Sequence, residues 1–167
     1  MVRTILVISD THGYHTNLQK VLELERGRYE EVFHLGDVCD GEAWIRKMSG
    51  CPVTFVRGNC DGFSRLPQEA DFVRWGHHFL LTHGHRYFLY IDPSDLAAEA
   101  ASRGADVALY GHTHKPFISM IGDVLTANPG SISRPRQQGH LPSYIMMHVD
   151  EEGPVDCELK FLNDQQT

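Results

Sequence analysis

The 167-residue sequence lacks any Lys/Arg run, any regular cysteine spacing, and any apolar stretch approaching the ~18 residues that cross a membrane. Each absence excludes a class. With 15 Lys and Arg against 22 Asp and Glu, the formal net charge is −7, so affinity built on neutralising many backbone phosphates is excluded and no long nucleic acid is expected as a partner. A small anionic substrate stays open, because several carboxylates sit in patterns that suit cations better than water. Cys39, Cys51, Cys60 and Cys157 form no C-x-x-C pair. The N-terminus shows no charged region followed by an apolar stretch of signal-peptide length. Reduced thiols, a soluble chain without membrane association and a cytoplasmic location are therefore expected. There is no low-complexity segment, repeat or linker. A composition of 41% hydrophobic and 22% charged residues is that of an ordinary globular protein, and the length suits one domain over residues 1–167.

Arg3 to Ser9 is rich in β-branched residues and almost continuously apolar, as a strand buried on both faces would be. It stops abruptly at Asp10-Thr11-His12-Gly13. Leu18, Val21, Leu22 and Leu24 then fall on helical spacing, with Gly27 as the expected C-cap. The pattern repeats with a strand over 31–35, a helix over 43–48 and a strand over 53–56, which implies right-handed crossovers and a largely parallel sheet. A hairpin around Gly76, a helix over 94–103 and a strand over 107–110 follow. The last third, with strands at 117–121, 124–127, 143–149 and 155–161, reads as mainly antiparallel. The fold class is α/β, with two packed mixed sheets and helices outside.

Every polar cluster follows a predicted strand: Asp10-Thr11-His12, Gly36-Asp37, Gly58-Asn59-Cys60-Asp61, His83-Gly84-His85 and Gly111-His112-Thr113-His114. Ligands of open sheets bind at the carboxyl ends of strands, so the five clusters are expected on one rim. Taken singly, an Asp-x-His is as good a helix entry as a ligand pair. Together, two Asp, one Asn and four His suit Mn, Ni, Co, Fe or Zn better than Ca.

In this order the motifs D-x-H, G-D, G-N-x-D, H-G and G-H-T-H resemble the calcineurin-like metallophosphoesterases, and the match spans residues 10–114. Asn128-Pro129-Gly130-Ser131 adds a resemblance to the small bacterial and archaeal phosphodiesterase branch, to which the retromer subunit of the same fold is related. The resemblance implies a four-layer α-β-β-α sandwich and two divalent metal ions, Mn first among them. Asp10, His12 and His114 would hold one metal and Asn59, His83 and His112 the other, with Asp37 bridging. A hydroxide shared by the metals would then attack a small phosphodiester. A protein-binding scaffold and a phosphomonoesterase of the same superfamily are the alternatives. All seven expected ligand positions carry a competent donor, which favours the enzyme.

The sequence departs from the family at Cys60, where many members carry His. A thiol gives up a proton only weakly at neutral pH, so aryl diesters are expected to turn over faster than alkyl diesters or monoesters. Asp61 either orients a ligand or its loop, or caps the turn into Gly62. His85 faces the substrate or solvent. Asp37, Asn59, Cys60, Asp61 and His85 are thus the candidate catalytic residues. His34 reads as packed against its sheet, and His15, His77, His78, His140 and His148 as structural or surface residues. Arg134 and Arg136 meet either a phosphate oxygen or water. Cys39 and Cys60 read as reduced loop thiols, with oxidative inactivation the alternative. The second sheet offers an edge or face to another copy, and a homodimer is the expected assembly.

Overall fold

The computed structural model describes residues 1–87 and 92–163. Strands alternate with helices through β1 (Val2–Ile8), α1 (Thr16–Leu24), β2 (Glu31–His34), α2 (Glu42–Ser49) and β3 (Val53–Phe55). A hairpin of β4 (Glu69–Arg74) and β5 (His77–Thr82) leads to α3 (Ser94–Ser102) and β6 (Val107–Leu109). The chain then runs through β7 (Pro116–Ile121), β8 (Val124–Pro129), β9 (Ser143–Asp150) and β10 (Val155–Phe161). One five-stranded sheet has the order β10-β9-β1-β2-β3 and the other β4-β5-β6-β8-β7.

Period-two alternation along the central strands sets the layers. On β1, Leu6 and Ile8 face one way and meet Leu18, Val21 and Leu22 of α1 and Ile45 of α2. Ile5 and Val7 face the other way, into a core between the sheets shared with Phe33, Met147, Phe79, Leu81, Val107 and Leu109. Beyond the second sheet, Leu96, Ala97 and Ala100 of α3 cover Leu80, Ala108 and Val124. The result is the four-layer α-β-β-α sandwich. At about 1.5–3 kcal/mol for each large apolar side chain buried, these three apolar layers hold the strand ends in fixed relative positions.

The parallel strands β1, β2 and β3 lie in the first sheet, and β5, β6 and β8 run parallel in the second. The last third is therefore less antiparallel than its sequence suggests. β7 turns back through Gly122 and Asp123 to pair antiparallel with β8, which restores the direction of β6 beside it. Helix α1 also ends earlier than expected, at Leu24 with Glu25 as its C-cap. Gly27 lies beyond it at φ 77°. Glu25 is buried and accepts the Tyr144 hydroxyl at 2.7 Å. Trp75 and Gly76 both have positive φ, 53° and 78°, the pattern of the tight two-residue hairpin turn. Among the described residues no helix is long and apolar enough to cross a membrane.

Candidate metal centre

The carboxyl ends of β1, β2, β3, β5 and β6 deliver the five polar clusters to one rim, where hydrogen bonds lace them together. The Asp10 amide donates to the Gly36 carbonyl at 3.0 Å, the His12 amide to Asp37 at 2.8 Å, and the Gly111 amide to His83 at 3.0 Å. The loops approach so closely that side chains are excluded at two glycines. A Cβ on Gly36 would stand 2.7 Å from His83 Nδ1, and one on Gly58 would overlap the Asp37 carboxylate.

All seven residues proposed as ligands meet there. Asp10, Asp37, His83 and His114 are buried, His12 and His112 are half-buried, and Asn59 is exposed, so the centre opens to solvent on one side. His114 Nε2 stands 3.0 Å from Asp10 Oδ1, and His12 Nε2 lies 3.2 Å from His114 Nε2. Asp37 Oδ2 lies 3.6 Å from His12 Nε2 and 3.3 Å from His83 Nε2, between the two halves of the site. On the far side, Asn59 Oδ1 is 3.0 Å from both His83 Nε2 and His112 Nδ1.

The donor set fits a cation. His83 Nδ1 lies 2.7 Å from the Leu35 carbonyl and His114 Nδ1 2.7 Å from the Arg134 carbonyl. A ring nitrogen that donates there leaves the other with its lone pair aimed inward, the usual way a protein orients a metal-ligating imidazole. Lone pairs thus face carboxylate and amide oxygens at hydrogen-bond distance, an arrangement that needs a proton or a cation between them. Asp10 Oδ1 is buried with no aligned hydrogen-bond donor. One donor atom each from Asp10, His12, Asp37 and His114 all lie within 4.8 Å of one another. Burial alone would raise the Asp10 pKa, but the His114 and His12 imidazoles reverse this and hold it well below the usual carboxylate range. Burial likewise works against a charged His83, yet the Asp37 and Asp10 carboxylates raise its pKa. The site is therefore organised for positive charge.

Five of these residues sit in the left-handed backbone region: Asp10 (φ 56°), His12 (49°), Asp37 (57°), His112 (69°) and His114 (58°). Side chains hold those turns. Asp61 is buried and accepts three amides, from Val38 (3.2 Å), Cys39 (2.8 Å) and Gly58 (2.9 Å). Both its oxygens are thereby occupied, and they clamp the Asp37 and Asn59 loops together. Asn128 donates to the Gly111 carbonyl and to Thr113 Oγ1, each at 3.0 Å, which fixes the loop carrying His112 and His114. Ser131 and Ser133 both donate to the Asp10 carbonyl, at 2.9 and 2.8 Å. The 128–131 turn is thus a brace for the centre. Ser133 escaped the sequence reading because its partner is more than a hundred residues away.

At the rim, His85 is exposed, with its ring 5.6 Å from that of His83 and 6.2 Å from that of His112. Cys60 is exposed, its amide donating to Asp37 Oδ1 at 2.8 Å. Partial loss of water and the Asp37 carboxylate push its thiol pKa up. Cys39 and Cys60, both free thiols, line one cavity of about 150 Å³ with Phe63. The other histidines have partners of their own. His34 is buried with Nε2 3.0 Å from Thr11 Oγ1, and burial pushes its pKa down to about 4. His15 stacks on Trp44, His77 meets Asp106, and His78 meets Asp71.

The calcineurin-like phosphoesterase superfamily domain matches residues 4–152. Phosphodiesterase YfcE of Escherichia coli K12 is 35% identical over 169 residues, covering 87% of this chain and 88% of that protein. The probable metallophosphoesterase MJ0623 of Methanocaldococcus jannaschii is 34% identical over 163 residues, covering 92% of this chain and 78% of its own. A predicted phosphoesterase of Streptococcus pneumoniae superposes with a TM-score of 0.77 at 26% identity, covering 97% of this chain and 99% of that one. A single mutant of Vps29 from Entamoeba histolytica gives 0.76 at 25%, covering 96% and 99%. With the domain matched across most of its length and the fold shared end to end, this chain belongs to the calcineurin-like phosphoesterase superfamily, as a metallophosphoesterase related to its small prokaryotic members.

Proposed function

We propose that this protein is a phosphodiesterase working with two divalent cations, Mn first, with Ni, Co, Fe or Zn compatible with the same donors. Asp10, His12 and His114 would hold one cation and Asn59, His83 and His112 the other, with Asp37 shared. The observation that carries this reading is the buried, unsatisfied Asp10 Oδ1 within a set of inward-facing nitrogen and oxygen donors. When bound, such cations polarise phosphoryl oxygens and supply a water of lowered pKa. The chain's own groups set the rest. His83 and His114, held through Nδ1, keep Nε2 inward, and the open Asn59 and His85 side admits substrate.

Cys60 shapes specificity. Its thiol, with a raised pKa, is a poor proton donor to a departing alkoxide, so leaving groups that depart without a proton are favoured. Small aryl phosphodiesters therefore turn over faster than alkyl diesters or monoesters; the Escherichia coli relative is named as a phosphodiesterase. The net charge of −7 argues against long nucleic acid as the substrate.

The test is hydrolysis of bis-p-nitrophenyl phosphate by chelator-stripped protein with Mn, Ni, Co, Zn or Mg added back, beside Asp37→Ala. Metal-restored activity that Asp37→Ala abolishes supports the reading. Metal-filled protein without turnover would turn attention to protein binding, since Vps29 shares the fold.

A further inference from the structure

We infer that Arg134, braced on the ring of Tyr14, is the guanidinium that grips a phosphoryl oxygen of the substrate, an inference that rests on the phosphodiesterase reading above. The backbone of Arg134 is part of the centre's frame. Its amide donates to Ser131 Oγ at 2.7 Å, and its carbonyl faces His114 Nδ1 at 2.7 Å. One residue earlier, Ser133 donates to the Asp10 carbonyl at 2.8 Å. The root of the side chain is therefore fixed relative to both Asp10 and His114.

The side chain is exposed, and its guanidinium carbon lies 5.3 Å from the Tyr14 ring centroid. Tyr14 follows His12 by two residues, its amide donates to the Thr11 carbonyl at 2.9 Å, and it is 60% exposed. An aromatic placed there adds little to the core. What it does is hold a planar cation beside the loop that carries His12, leaving the hydrogen-bonding edge available.

Arg134 also differs from five other cations of the chain. Arg3, Arg28, Arg74, Arg103 and Lys160 each pair with a carboxylate. Among the described residues no carboxylate pairs with Arg134, although acidic side chains outnumber basic ones by 22 to 15. An unpaired guanidinium beside a phosphoesterase centre matches a tetrahedral anion, to which it offers two parallel N–H donors. It also supplies a fixed positive charge on the rim and stabilises charge growing on the phosphoryl oxygens.

The experiment compares metal-loaded wild type with Arg134→Ala, Arg134→Lys and Tyr14→Ala. It measures kcat and KM for bis-p-nitrophenyl phosphate, the dissociation constant of inorganic phosphate by calorimetry, metal content, and the thermal midpoint. In Arg134→Ala, KM and the phosphate dissociation constant should rise together by about 10- to 100-fold, the size expected for a charge-assisted contact. Metal content and midpoint should stay at wild-type values. Arg134→Lys should recover part of the loss, because it keeps the charge without the fork. Added guanidinium should partly rescue Arg134→Ala, and Tyr14→Ala should shift both constants in the same direction by less. Unchanged phosphate affinity in Arg134→Ala overturns the inference, as does a loss that tracks metal content or midpoint, which would mean that the residue merely supports the His114 loop. Absence of turnover in wild type with every metal would sink the phosphodiesterase reading separately. The phosphate titration still decides this inference in that case: weaker binding to Arg134→Ala upholds it, while equal binding, or none to wild type, rejects it.

Discussion

Replacing Asp61 tests whether one carboxylate holds the centre's two middle loops together. In Asp61→Ala the amides of Val38, Cys39 and Gly58 lose their acceptor at once. A buried donor left unmade costs about 1–3 kcal/mol. Water can enter from the adjoining cavity of about 150 Å³, which Asp61 itself lines, so the three losses sum to about 3–5 kcal/mol and not to their full total. Asp61→Asn is the sharper probe. Its single oxygen can serve Val38 and Gly58, but its amide group then meets the Cys39 N–H donor to donor, at a cost of about 1–3 kcal/mol. Urea unfolding in chelator, followed by Trp44 and Trp75 fluorescence, reads both values without stabilisation by bound metal. The same variants, reloaded with metal, should lose about 100-fold or more in turnover, because an ~1 Å displacement of reacting groups is that costly. Stability within about 0.5 kcal/mol of wild type for Asp61→Ala would refute the clamp. So would a destabilised protein whose metal content and turnover are intact, since the clamp would then not position the centre.

Three other perturbations probe separate parts of the molecule. Asn128→Ala removes both donations to the His112 and His114 loop and should cost about 2–3 kcal/mol while weakening metal binding, measurable by competition with a coloured chelator. Gly58→Ala puts a methyl group onto the Asp37 carboxylate; it should leave a folded protein that binds metal poorly, which metal analysis after gel filtration would detect. His77 places its two ring nitrogens 2.6 Å from Asp106 Oδ2 and 2.9 Å from the Asp150 carbonyl. Although burial opposes the charge, those partners raise its pKa in the folded state. Its stabilising contribution is then fully present below the unfolded value of about 6.5 and is lost as pH rises through the folded value. His77→Gln should destabilise more at about pH 5.5 than at about pH 9, and urea midpoints at the two pH values give the comparison.

The layering was legible because it rests on local alternation. Ile5, Leu6, Val7 and Ile8 already say that β1 has two buried faces, and the helical spacing of Leu18, Val21 and Leu22 says which side α1 covers. The meeting of the five polar clusters was legible for a related reason, since parallel strands put all their carboxyl ends on one side. Contacts between distant loops leave no such periodic trace. Nothing in the neighbourhood of Asp61 shows that its carboxylate reaches amides 22 and 23 residues away. The parallel course of β8 depends on which strand it joins, and the Glu25 carboxylate at the end of α1 meets Tyr144 119 residues later. Tyr14 and Arg134 likewise gain their relation only when the first loop and the 128–134 segment are folded together.

The left-handed turns at Asp10, His12, Asp37, His112 and His114 make this centre a weak point for any selection that rewards stability alone. Glycine adopts that backbone region without steric cost, whereas another residue gives up roughly 1 kcal/mol there. Summed over the five positions, the strain is about 5 kcal/mol, a sizeable share of the ~5–15 kcal/mol that keeps a typical domain folded. A screen for heat resistance that ignored turnover would therefore favour glycine at these sites and enrich sturdier, inert molecules. Thermostable forms of this protein that still work should instead be sought in the strands and outer helices, where a gain in packing removes none of the donors.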